Sequence, residues 1–418
     1  MIRLFSLLLF LVYSFPSVSQ VSGCTDPLAT NYNDQAEVND GSCQYPFTTF
    51  TPERIGPLPS EVPETSGLVL YGGCLWTHND SGWQPELFCL DPEDGSLIRT
   101  VWVANAGNRD WEEITMDDNF LYIGDFGNNN GNRRDLVIYK VPLIDMELDT
   151  VFPTEITFEY PDQTDFSNRP LENDFDMEAM ISFGDSLYLF SKNWESQNTR
   201  IYSLPKEPGD YVASLLDSFE VNGLITGASF NPEDSLITLV GYTIFLQPFV
   251  WLLWEFEGSS FFSGNKRRIE LSLPFHQLEA ICWNPEENYF YISNERFDNI
   301  ITVPARLHKL EVNQWIHPEI SATGNFAEPL PFKIYPNPTV NKVYIQPIDQ
   351  HFTNGIVHQG GEKFNLKIYN YNGYLVLNKT IDSSLDNYQL NVEKLISGKY
   401  ILELTNGINY FVTNFIKE

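Results

Sequence analysis

Basic residues and histidine are scarce in this chain of 418 residues, and the motifs of familiar enzymes are absent. There are 25 lysines and arginines against 56 aspartates and glutamates, which gives a formal net charge of −31. A surface this acidic repels nucleic acids and anionic lipid headgroups, so neither is expected as a partner. The six histidines are scattered, which argues against a zinc site built from imidazoles. The sequence contains no H-E-x-x-H, C-x-x-C, G-x-S-x-G or P-loop motif.

Long apolar runs are missing as well, except at the N-terminus. Residues 4–13 are largely apolar, follow a basic start and precede Ser17 and Ser19, the small residues of a signal-peptidase site. The run is too short to span a bilayer, so residues 1–19 are predicted to be a secretory signal peptide that is removed. Residues 21–24 resemble a lipoprotein box, but such a box normally follows the apolar run directly, so lipidation is the lesser alternative. No transmembrane anchor is predicted elsewhere.

The segment 20–47 holds two cysteines, Cys24 and Cys43, but too few apolar residues for a core of its own. We therefore expect a disulfide between them, and no core shared with the domain that follows. The letters GCTDPLATNYNDQAEVNDGSCQY closely resemble a short repeat on secreted proteins of Bacteroidetes, which is related to calcium-binding thrombospondin type 3 repeats. Asn39 stands where that repeat usually has aspartate.

The resemblance makes this module a candidate Ca²⁺ site, because hard cations prefer carboxylate and amide oxygens. The alternative is a disulfide-stapled spacer whose asparagines and aspartates only form turns. The spacer is favoured, because no glutamate lies at the spacing of an EF-hand. The candidate ligands are Asp26, Asn31, Asn33 and Asp40.

One phrase of sequence recurs through residues 50–315: a polar run, an apolar strand, a turn and a second apolar strand. A repeat of about 50 residues has the length of a four-stranded propeller blade. No helical periodicity competes with this pattern. The sequence therefore predicts an all-β chain with a five- or six-bladed β-propeller, in which the longest repeat leaves room for a loop or part of another blade. The polar position of the phrase is occupied by Ser66, Glu112, Glu178, Thr226 and Glu279, at steps of 46, 66, 48 and 53 residues.

Two more cysteines bear on this arrangement. Cys74 and Cys89 are placed symmetrically about the turn-forming residues 80–83, as partners on neighbouring antiparallel strands would be. A disulfide between them fits an oxidising compartment, and two reduced core cysteines are the alternative. Cys282 is then left over, and we expect a buried, inert thiol.

Inner strands of a propeller line its central channel, so the recurring glutamates should point towards the axis. Like charges held close together cannot all ionise unless a cation or a network of hydrogen bonds compensates them. The cluster is a candidate Ca²⁺ or ligand site or, less favoured, a pair of acid and base carboxylates. The alternative is that each glutamate accepts backbone N–H groups and ties neighbouring blades together. The predicted site consists of Glu112, Glu178 and Glu279 with Asp125 and Asn294.

The repeats resemble those of the SdiA-regulated and esterase-like phytase propellers in the phrases Asp110–Ile114, Asp176–Met180 and Leu278–Ile281. The resemblance implies the propeller fold and raises a phosphatase activity as an alternative. A phosphate site needs clustered lysines and arginines, whereas residues 20–330 hold 16 basic residues against 49 acidic ones. Bridging Ca²⁺ ions would have to supply the missing positive charge. The basic candidates within the repeats are Lys192, Arg109 and Arg296.

The acidic character ends near residue 331, because residues 331–418 hold eight lysines against seven acids. We predict a linker at 316–331 and a small β-sandwich at 332–418, where apolar residues alternate between turn signals. This tail resembles the type A C-terminal sorting domain of the type IX secretion system, through its elements YPNP, GYLV and SGKY in that order. The resemblance implies that the type IX machinery exports the protein through the periplasm, into the medium or onto the outer surface.

The function predicted from the sequence is that of an exported propeller that binds an extracellular ligand without turning it over. The alternative is a Ca²⁺-dependent phosphoesterase or esterase-like propeller enzyme. A basic pocket beside the axial acids would favour the enzyme, whereas an acidic or filled channel would favour the binding protein.

Deletion of residues 332–418 should leave the protein in the periplasm, because the tail is the segment that the secretion machinery is expected to recognise. Cell fractionation and immunoblotting of the deletion beside the full chain measure this. A truncated chain that reaches the cell surface or the medium at normal levels would contradict the prediction.

Overall fold

The computed structural model describes residues 20–298, 302–316, 332–347, 363–370, 375–382, 388–405 and 410–418. The chain divides into two compact units, Met1–Pro318 and Glu319–Glu418, and strands make up nearly all of their regular structure. No helix within these described ranges is long and apolar enough to cross a membrane. The predicted signal peptide and nearly all of the predicted linker lie outside the described residues.

Five antiparallel sheets with four main strands each form the β-propeller of the first unit. From the axis outwards, the strands are Thr65–Tyr71, Cys74–Asn79, Glu86–Leu90 and Leu97–Val103 in blade 1; Trp111–Met116, Phe120–Asp125, Leu136–Pro142 and Thr154–Glu159 in blade 2; Asp176–Phe183, Ser186–Lys192, Thr199–Pro205 and Ser214–Phe219 in blade 3; Leu224–Asn231, Leu236–Tyr242, Pro248–Trp254 and Asn265–Leu271 in blade 4; and Leu278–Asn284, Tyr289–Asn294, Arg306–Leu310 and Glu53–Pro57 in blade 5.

Short elements complete the propeller. Edge strands add to blades 1, 2 and 4 in parallel orientation. A small hairpin connects the second and third strands of blade 5, and two single helical turns are also present. The edge strands are Thr150–Val151, Gly209–Val212 and Thr49–Phe50, the hairpin is Phe297–Asp298 with Thr302–Val303, and the helical turns are the 3₁₀ turn Leu143–Glu147 and the α turn Asn313–Ile316.

The ring of blades is closed by a strand from its own N-terminal end. The strand Glu53–Pro57 pairs antiparallel with Arg306–Leu310 as the outer strand of blade 5, and each inner strand packs against the inner strands of the two neighbouring blades. The long step between Glu112 and Glu178 contains an edge strand of blade 1 and a loop at 160–175. The described residues of the ring therefore form five blades, which is the lower of the two predicted numbers.

Hydrophobic layers between consecutive blades hold the propeller together. Each of five buried clusters joins two neighbouring sheets, and the fifth joins blade 5 to blade 1. Both faces of a blade are covered, so a strand such as Leu236–Tyr242 is buried at every position instead of alternating. Trp76 and Trp111 are buried in the layer between blades 1 and 2.

The predicted cysteine pairing is confirmed. Cys24 is bonded to Cys43, and Cys74 is bonded to Cys89 with their Cα atoms 5.2 Å apart. The second bond joins the second and third strands of blade 1, where the sequence symmetry about the turn placed it. Cys282 is free and buried.

The small N-terminal module packs on blade 4, with Tyr45 against the buried core between blades 4 and 5, so the expectation that it shares no core with the propeller is wrong. The Tyr45 ring lies 5.6 Å from the Trp254 ring and 5.0 Å from the Arg267 guanidinium. Asn39 donates from its amide nitrogen to a Glu255 carboxylate oxygen and to the Asn265 side-chain oxygen, both at 2.9 Å. An aspartate at position 39 would face the Glu255 carboxylate, which gives a physical reason for the departure from the repeat.

The tail forms the predicted small β-sandwich. Two antiparallel sheets share one buried core, which includes Val343, Phe364 and Leu402. The strands of one sheet are Phe332–Tyr335, Lys342–Pro347 and Tyr388–Asn391, and those of the other are Leu375–Asp382, Lys363–Asn370, Gly398–Thr405 and Tyr410–Lys417.

Replacement Asn39→Asp should loosen the module from blade 4, because a second carboxylate would meet Glu255 and the two amide hydrogen bonds would be lost. We expect a cost of about 1–2 kcal/mol, visible as a lower Tm and as faster chymotryptic cleavage after Phe47, ahead of the propeller. Asn33→Asp is the matched control, because the Asn33 side-chain oxygen only accepts the Gln35 N–H, which a carboxylate can also do. Equal behaviour of the two variants would contradict the docking.

Candidate functional site

The recurring polar position falls on a β-bulge in blades 2 to 5. The strand register shifts across Glu112, Glu178, Thr226 and Glu279, so that each of these residues is left unpaired in its ladder. A bulge turns the extra side chain out of the regular alternation. All four bulges lie near the start of an inner strand, so their side chains meet at one mouth of the channel.

Two layers of carboxylates surround this mouth. Glu112, Glu178 and Glu279 form a deep layer, with 2%, 2% and 7% of their surface exposed, and Asp176 is fully buried beside them. Asp80, Asp110 and Glu295 are only half-buried and form the outer layer.

Glu112 belongs to both of the tight carboxylate groups found among the described residues. Oxygens of Asp80, Asp110 and Glu112 lie within 4.8 Å of one another, and so do oxygens of Glu112, Asp176 and Glu178. One buried Glu112 oxygen, Oε1, has no hydrogen-bond partner in the described structure. Unpaired buried carboxylate oxygens are rare in folded proteins, because desolvation then costs free energy without compensation.

A single buried lysine partly neutralises these acids. Lys192 Nζ lies 3.1 Å from Glu178 Oε1, and both side chains are buried. The ammonium also lies 4.9 Å from the centre of the Trp194 ring and 5.7 Å from that of Tyr242. Lys192 and, behind Asp110, the buried Arg133 are the positive charges that act on the seven carboxylates of the two layers, so the mouth stays acidic.

Burial and mutual repulsion raise the pKa values of the cluster. Burial raises the pKa of Glu112 well above its ordinary value, and nearby carboxylates add to the effect. Burial likewise raises the pKa of Glu178, although Lys192 opposes this rise. In the outer layer, burial first and neighbouring acids second raise the pKa of Asp110 to about 6. The pKa of Glu295 is raised to about 7, mainly by burial.

The two other predicted site residues support the mouth from behind. Asp125 pairs with the buried Arg133 at 2.9 Å and accepts the backbone N–H groups of Arg109 and Asp110, so it holds the loop that carries Asp110. Asn294 donates to the carbonyls of Glu295 and Pro304. The structure therefore brings the three predicted glutamates together and places Asp125 and Asn294 as their neighbours.

Several ties between blades are made by residues beside the three glutamates, and Glu279 itself has a side-chain hydrogen bond with Tyr242 of blade 4. The Ser66 hydroxyl donates to the carbonyl of Glu112, and the Thr226 hydroxyl donates to that of Leu278. Glu113 reaches across the channel, where one carboxyl oxygen accepts the Ala228 N–H of blade 4 at 2.9 Å. The blade-tying alternative was made for Glu112, Glu178 and Glu279; the neighbouring Glu113 accepts such a backbone N–H, and Glu112 keeps an oxygen without a partner in the described structure.

The basic residues considered for phosphate are already paired. Arg109 contacts Asp135, and Arg296 contacts Asp298, while Lys192 is held by Glu178. Within the described part of the chain, this mouth therefore offers no unpaired cationic side chain to an anion.

The opposite end of the channel has a different character. A cavity of 610 Å³ opens there between the far ends of the inner strands, and it is lined mainly by apolar side chains, including Phe230, Cys282 and Trp283. Burial raises the pKa of the Cys282 thiol to about 12, so this cysteine is inert at neutral pH, as predicted.

The oxygens of the candidate calcium ligands in the N-terminal module serve its turns. Asp26 accepts the Leu28 N–H and the Tyr45 hydroxyl. The other three side-chain oxygens accept backbone N–H groups of Gln44, Gln35 and Ser42, and belong to Asn31, Asn33 and Asp40 respectively. These contacts are those of the spacer alternative, and Ca²⁺ binding by this module stays a prediction.

Sequence reasoning missed four of the seven carboxylates at the mouth, although a signal for them was present. Asp110 and Asp176 each stand two residues before a recurring glutamate, in the same D-x-E phrase. Asp80 and Glu295 each follow an asparagine that ends the second strand of a blade. A blade's second strand ends beside the start of its first, so these two positions also had to reach the mouth.

Comparison with known proteins identifies the tail. Residues 333–418 match the family model described as Secretion system C-terminal sorting domain, which confirms the predicted sorting domain. The protein is thus secreted or attached to the outer surface. No curated protein sequence matches the chain.

Solved structures share only a distant likeness with the chain. The exo-β-1,3-galactanase from Phanerochaete chrysosporium with galactose is 11% identical at a TM-score of 0.40, covering 88% of this chain and 100% of that one. A variant of that enzyme with β-1,3-galactotriose gives 10% identity, coverages of 88% and 99%, and a TM-score of 0.40. A chain of the Mitotic Checkpoint Complex gives 11% identity, coverages of 59% and 76%, and a TM-score of 0.31. Likenesses this distant carry no information about what the chain binds.

Without divalent cations, the free energy of unfolding should fall as the pH rises from about 6.5 to about 8, because the pH then passes the folded pKa of Glu295, which is about 7. The pKa values of the cluster are raised in the folded state, so this contribution to stability is full below the unfolded pKa values and is lost as the pH passes the folded ones. Above about pH 7 the histidines are neutral in both states and do not mask the trend. One pKa unit corresponds to about 1.4 kcal/mol, so Tm should fall by several degrees.

Thermal melts in chelator across this pH range measure the trend. Glu295→Gln should flatten it, because that variant removes one titrating group from the outer layer. Asp185→Asn, an exposed acid in a loop, should leave it unchanged. A Tm that rises with pH in the chelated wild type would refute the raised pKa values.

Proposed function

We propose that the protein is an exported propeller that binds an extracellular ligand through a divalent cation, with Ca²⁺ as the first candidate, at the acidic mouth of its channel. The observation that carries the proposal is the buried Glu112 carboxylate, whose Oε1 has no partner and which belongs to both tight carboxylate groups. Carboxylate oxygens are the ligands that Ca²⁺ prefers. A bound cation would also offset the repulsion that raises the pKa values of the cluster.

The backbone at Gly127 runs so close to the Glu112 carboxylate that no side chain fits at position 127. A side chain at Gly127 would place its Cβ 2.0 Å from Glu112 Oε1 and 2.6 Å from an Asp110 carboxylate oxygen. The next residue, Asn128, donates its N–H to Asp176. This loop therefore aligns three acids from two blades, which is the preorganisation that a cation site needs.

The half-exposed outer layer indicates how a ligand would reach the cation. Asp80 and Asp110 contact solvent, so one side of the coordination shell would stay open to hydroxyl, carboxylate or phosphate oxygens of a ligand. An anionic ligand could approach this acidic mouth only through the cation. Binding without turnover is favoured, because the nearby basic side chains are engaged in ion pairs.

A hydrolytic role is the second candidate, and one observation favours it. The pKa of Glu295 is raised to about 7, and a carboxyl group with a pKa near the working pH is suited to general acid or base catalysis. A Ca²⁺-dependent phosphoesterase would use the same cation. Hydrolysis of 4-nitrophenyl phosphate that requires Ca²⁺ and is lost in Glu295→Gln would favour the enzyme.

Calcium should raise the Tm of the wild type, because a ligand of the folded state stabilises it by mass action, by about 2.7 kcal/mol at a hundredfold excess over Kd. Glu112→Gln should abolish this rise and change the Tm in chelator little, since its Oε1 has no partner to lose. Isothermal titration and thermal melts with Ca²⁺ and with chelator measure both effects.

Two further variants make the test specific. Glu178→Gln should lower the Tm with and without Ca²⁺, because it leaves the buried Lys192 without its partner. Asp185→Asn, a loss of the same charge at an exposed position, should keep the full Ca²⁺ effect. A wild-type Tm that is indifferent to Ca²⁺ would end the cation proposal.

A further inference from the structure

A second group of polar side chains lies in blade 5, away from the acidic mouth, and it is basic. His276 and His308 are buried with their ring centres 5.9 Å apart. Three of their four ring nitrogens have no hydrogen-bond partner in the described structure, namely His276 Nε2 and both nitrogens of His308. Each neutral imidazole needs one donor and one acceptor contact, so this pair is unsatisfied as it stands.

Two arginines share the sheet face of His308. Arg54 of the closing strand stands directly opposite His308 in the antiparallel register, and Arg306 lies two residues before His308 on the same strand. Opposite residues and residues two apart point to the same face of a sheet. Arg54 is exposed and Arg306 half-buried. Neither forms an ion pair or side-chain hydrogen bond with any residue that the structure describes, in a protein of net charge −31.

We propose that Arg54, Arg306, His308 and His276 form a binding site for a tetrahedral oxyanion, a sulfate or phosphate group. The two guanidinium groups can each donate a pair of N–H bonds to oxygen, and the imidazoles beneath them add donors from another direction. A tetrahedral anion has oxygens for all of these directions. This site is independent of the cation proposed at the channel mouth.

Protonation chemistry supports an anion over a metal ion. His276 Nδ1 lies 3.0 Å from the carbonyl of Pro274 and therefore carries the proton of the neutral ring, so its Nε2 can donate to an anion only after the ring gains a proton. His308 can donate in either tautomer. The two arginines would repel a metal cation, and the groups of potential metal ligands in the described chain all lie at the channel mouth.

The charges around the histidines determine the pH dependence. Burial first, and then the charges of His276, Arg306 and Arg54, lower the pKa of His308 to about 4. Burial and Arg306 lower the pKa of His276, although the Pro274 carbonyl opposes this. Glu53 and Lys309 are the charged residues adjacent in sequence to Arg54 and His308, and they pair with each other. Because successive residues of a strand alternate between faces, Glu53 and Lys309 lie on the opposite face of the sheet. A bound oxyanion would reverse these shifts, so binding should take up protons and tighten as the pH falls.

Titration of the full chain with sodium sulfate and sodium phosphate tests the site, at constant ionic strength with sodium chloride as the reference. We expect sulfate to bind about tenfold more tightly at pH 5.5 than at pH 7.5, since sulfate keeps its charge across this range. Arg54→Gln and Arg306→Gln should each weaken binding by about tenfold or more. The anion that binds with the lower Kd shows whether the natural ligand carries a sulfate or a phosphate group.

Lys309→Gln is the matched control, because it removes the same charge from the same strand on the opposite face, where Lys309 pairs with Glu311. Sulfate binding should be unchanged in this variant. Nitrogen NMR of the ¹⁵N-histidine-labelled protein adds a direct readout, in which sulfate should shift two imidazole signals, one of them missing in His308→Gln. No binding beyond the chloride reference, equal weakening in Lys309→Gln, or unshifted imidazole signals would each overturn the proposal.

Discussion

Pairing between Glu53–Pro57 and Arg306–Leu310 is the interaction on which the rest of the propeller depends. It joins the two ends of the ring, and it thereby brings the inner strands of blades 5 and 1 into contact. The buried layer between these blades includes Leu307 of the paired strands, and Ile55 packs against it. The acidic mouth also depends on closure, because Asp80 comes from blade 1 and Glu279 and Glu295 come from blade 5. The basic group in blade 5 contains one arginine from each of the two paired strands.

Bulges in the inner strands then place charged side chains at the mouth of the channel. An unpaired residue at the start of the strand points into the channel in blades 2, 3 and 5, and each of these residues is a glutamate. Burying several acids together costs free energy, and folded proteins keep such costs mainly at functional sites. Blade 4 has threonine at the same position, and its hydroxyl ties the blade to blade 5. Among the three glutamates, Glu178 is held by Lys192 and Glu279 bonds to Tyr242 of blade 4, whereas Glu112 keeps an oxygen without a partner in the described structure.

The two ends of the channel differ because the inner strands carry different residues at their two ends. The mouth at the strand starts collects carboxylates and one buried lysine, whereas the far end is lined mainly by apolar side chains around a cavity of 610 Å³. Glu113 crosses the channel between them and accepts N–H groups from its own blade and from blade 4. A small molecule therefore meets either an acidic or an apolar surface, and not a continuous pore of one kind.

Local patterns in the sequence were sufficient for several parts of the protein. The repeat near 50 residues indicated a propeller, the symmetry of Cys74 and Cys89 about a turn indicated their bond, and the tail carried its sorting motifs in order. These features depend on neighbouring residues and on strand pairing within one hairpin, which is why short-range reasoning reached them. The blade number could not be decided in this way, because the last strand of blade 5 comes from the beginning of the domain.

Tertiary structure alone decided which polar residues meet. Glu112, Glu178 and Glu279 were expected together from their shared repeat position, but Asp125 is turned to Arg133 by a contact that no repeat position indicates. The docking of Asn39 on blade 4 joins residues more than two hundred positions apart, and the group of Arg54 with Arg306 and His308 arises only when the ring closes. The sequence by itself determined the strands, the repeats, the disulfides and the sorting tail. Ring closure determined the partners of each buried charge, because those partners come from different blades.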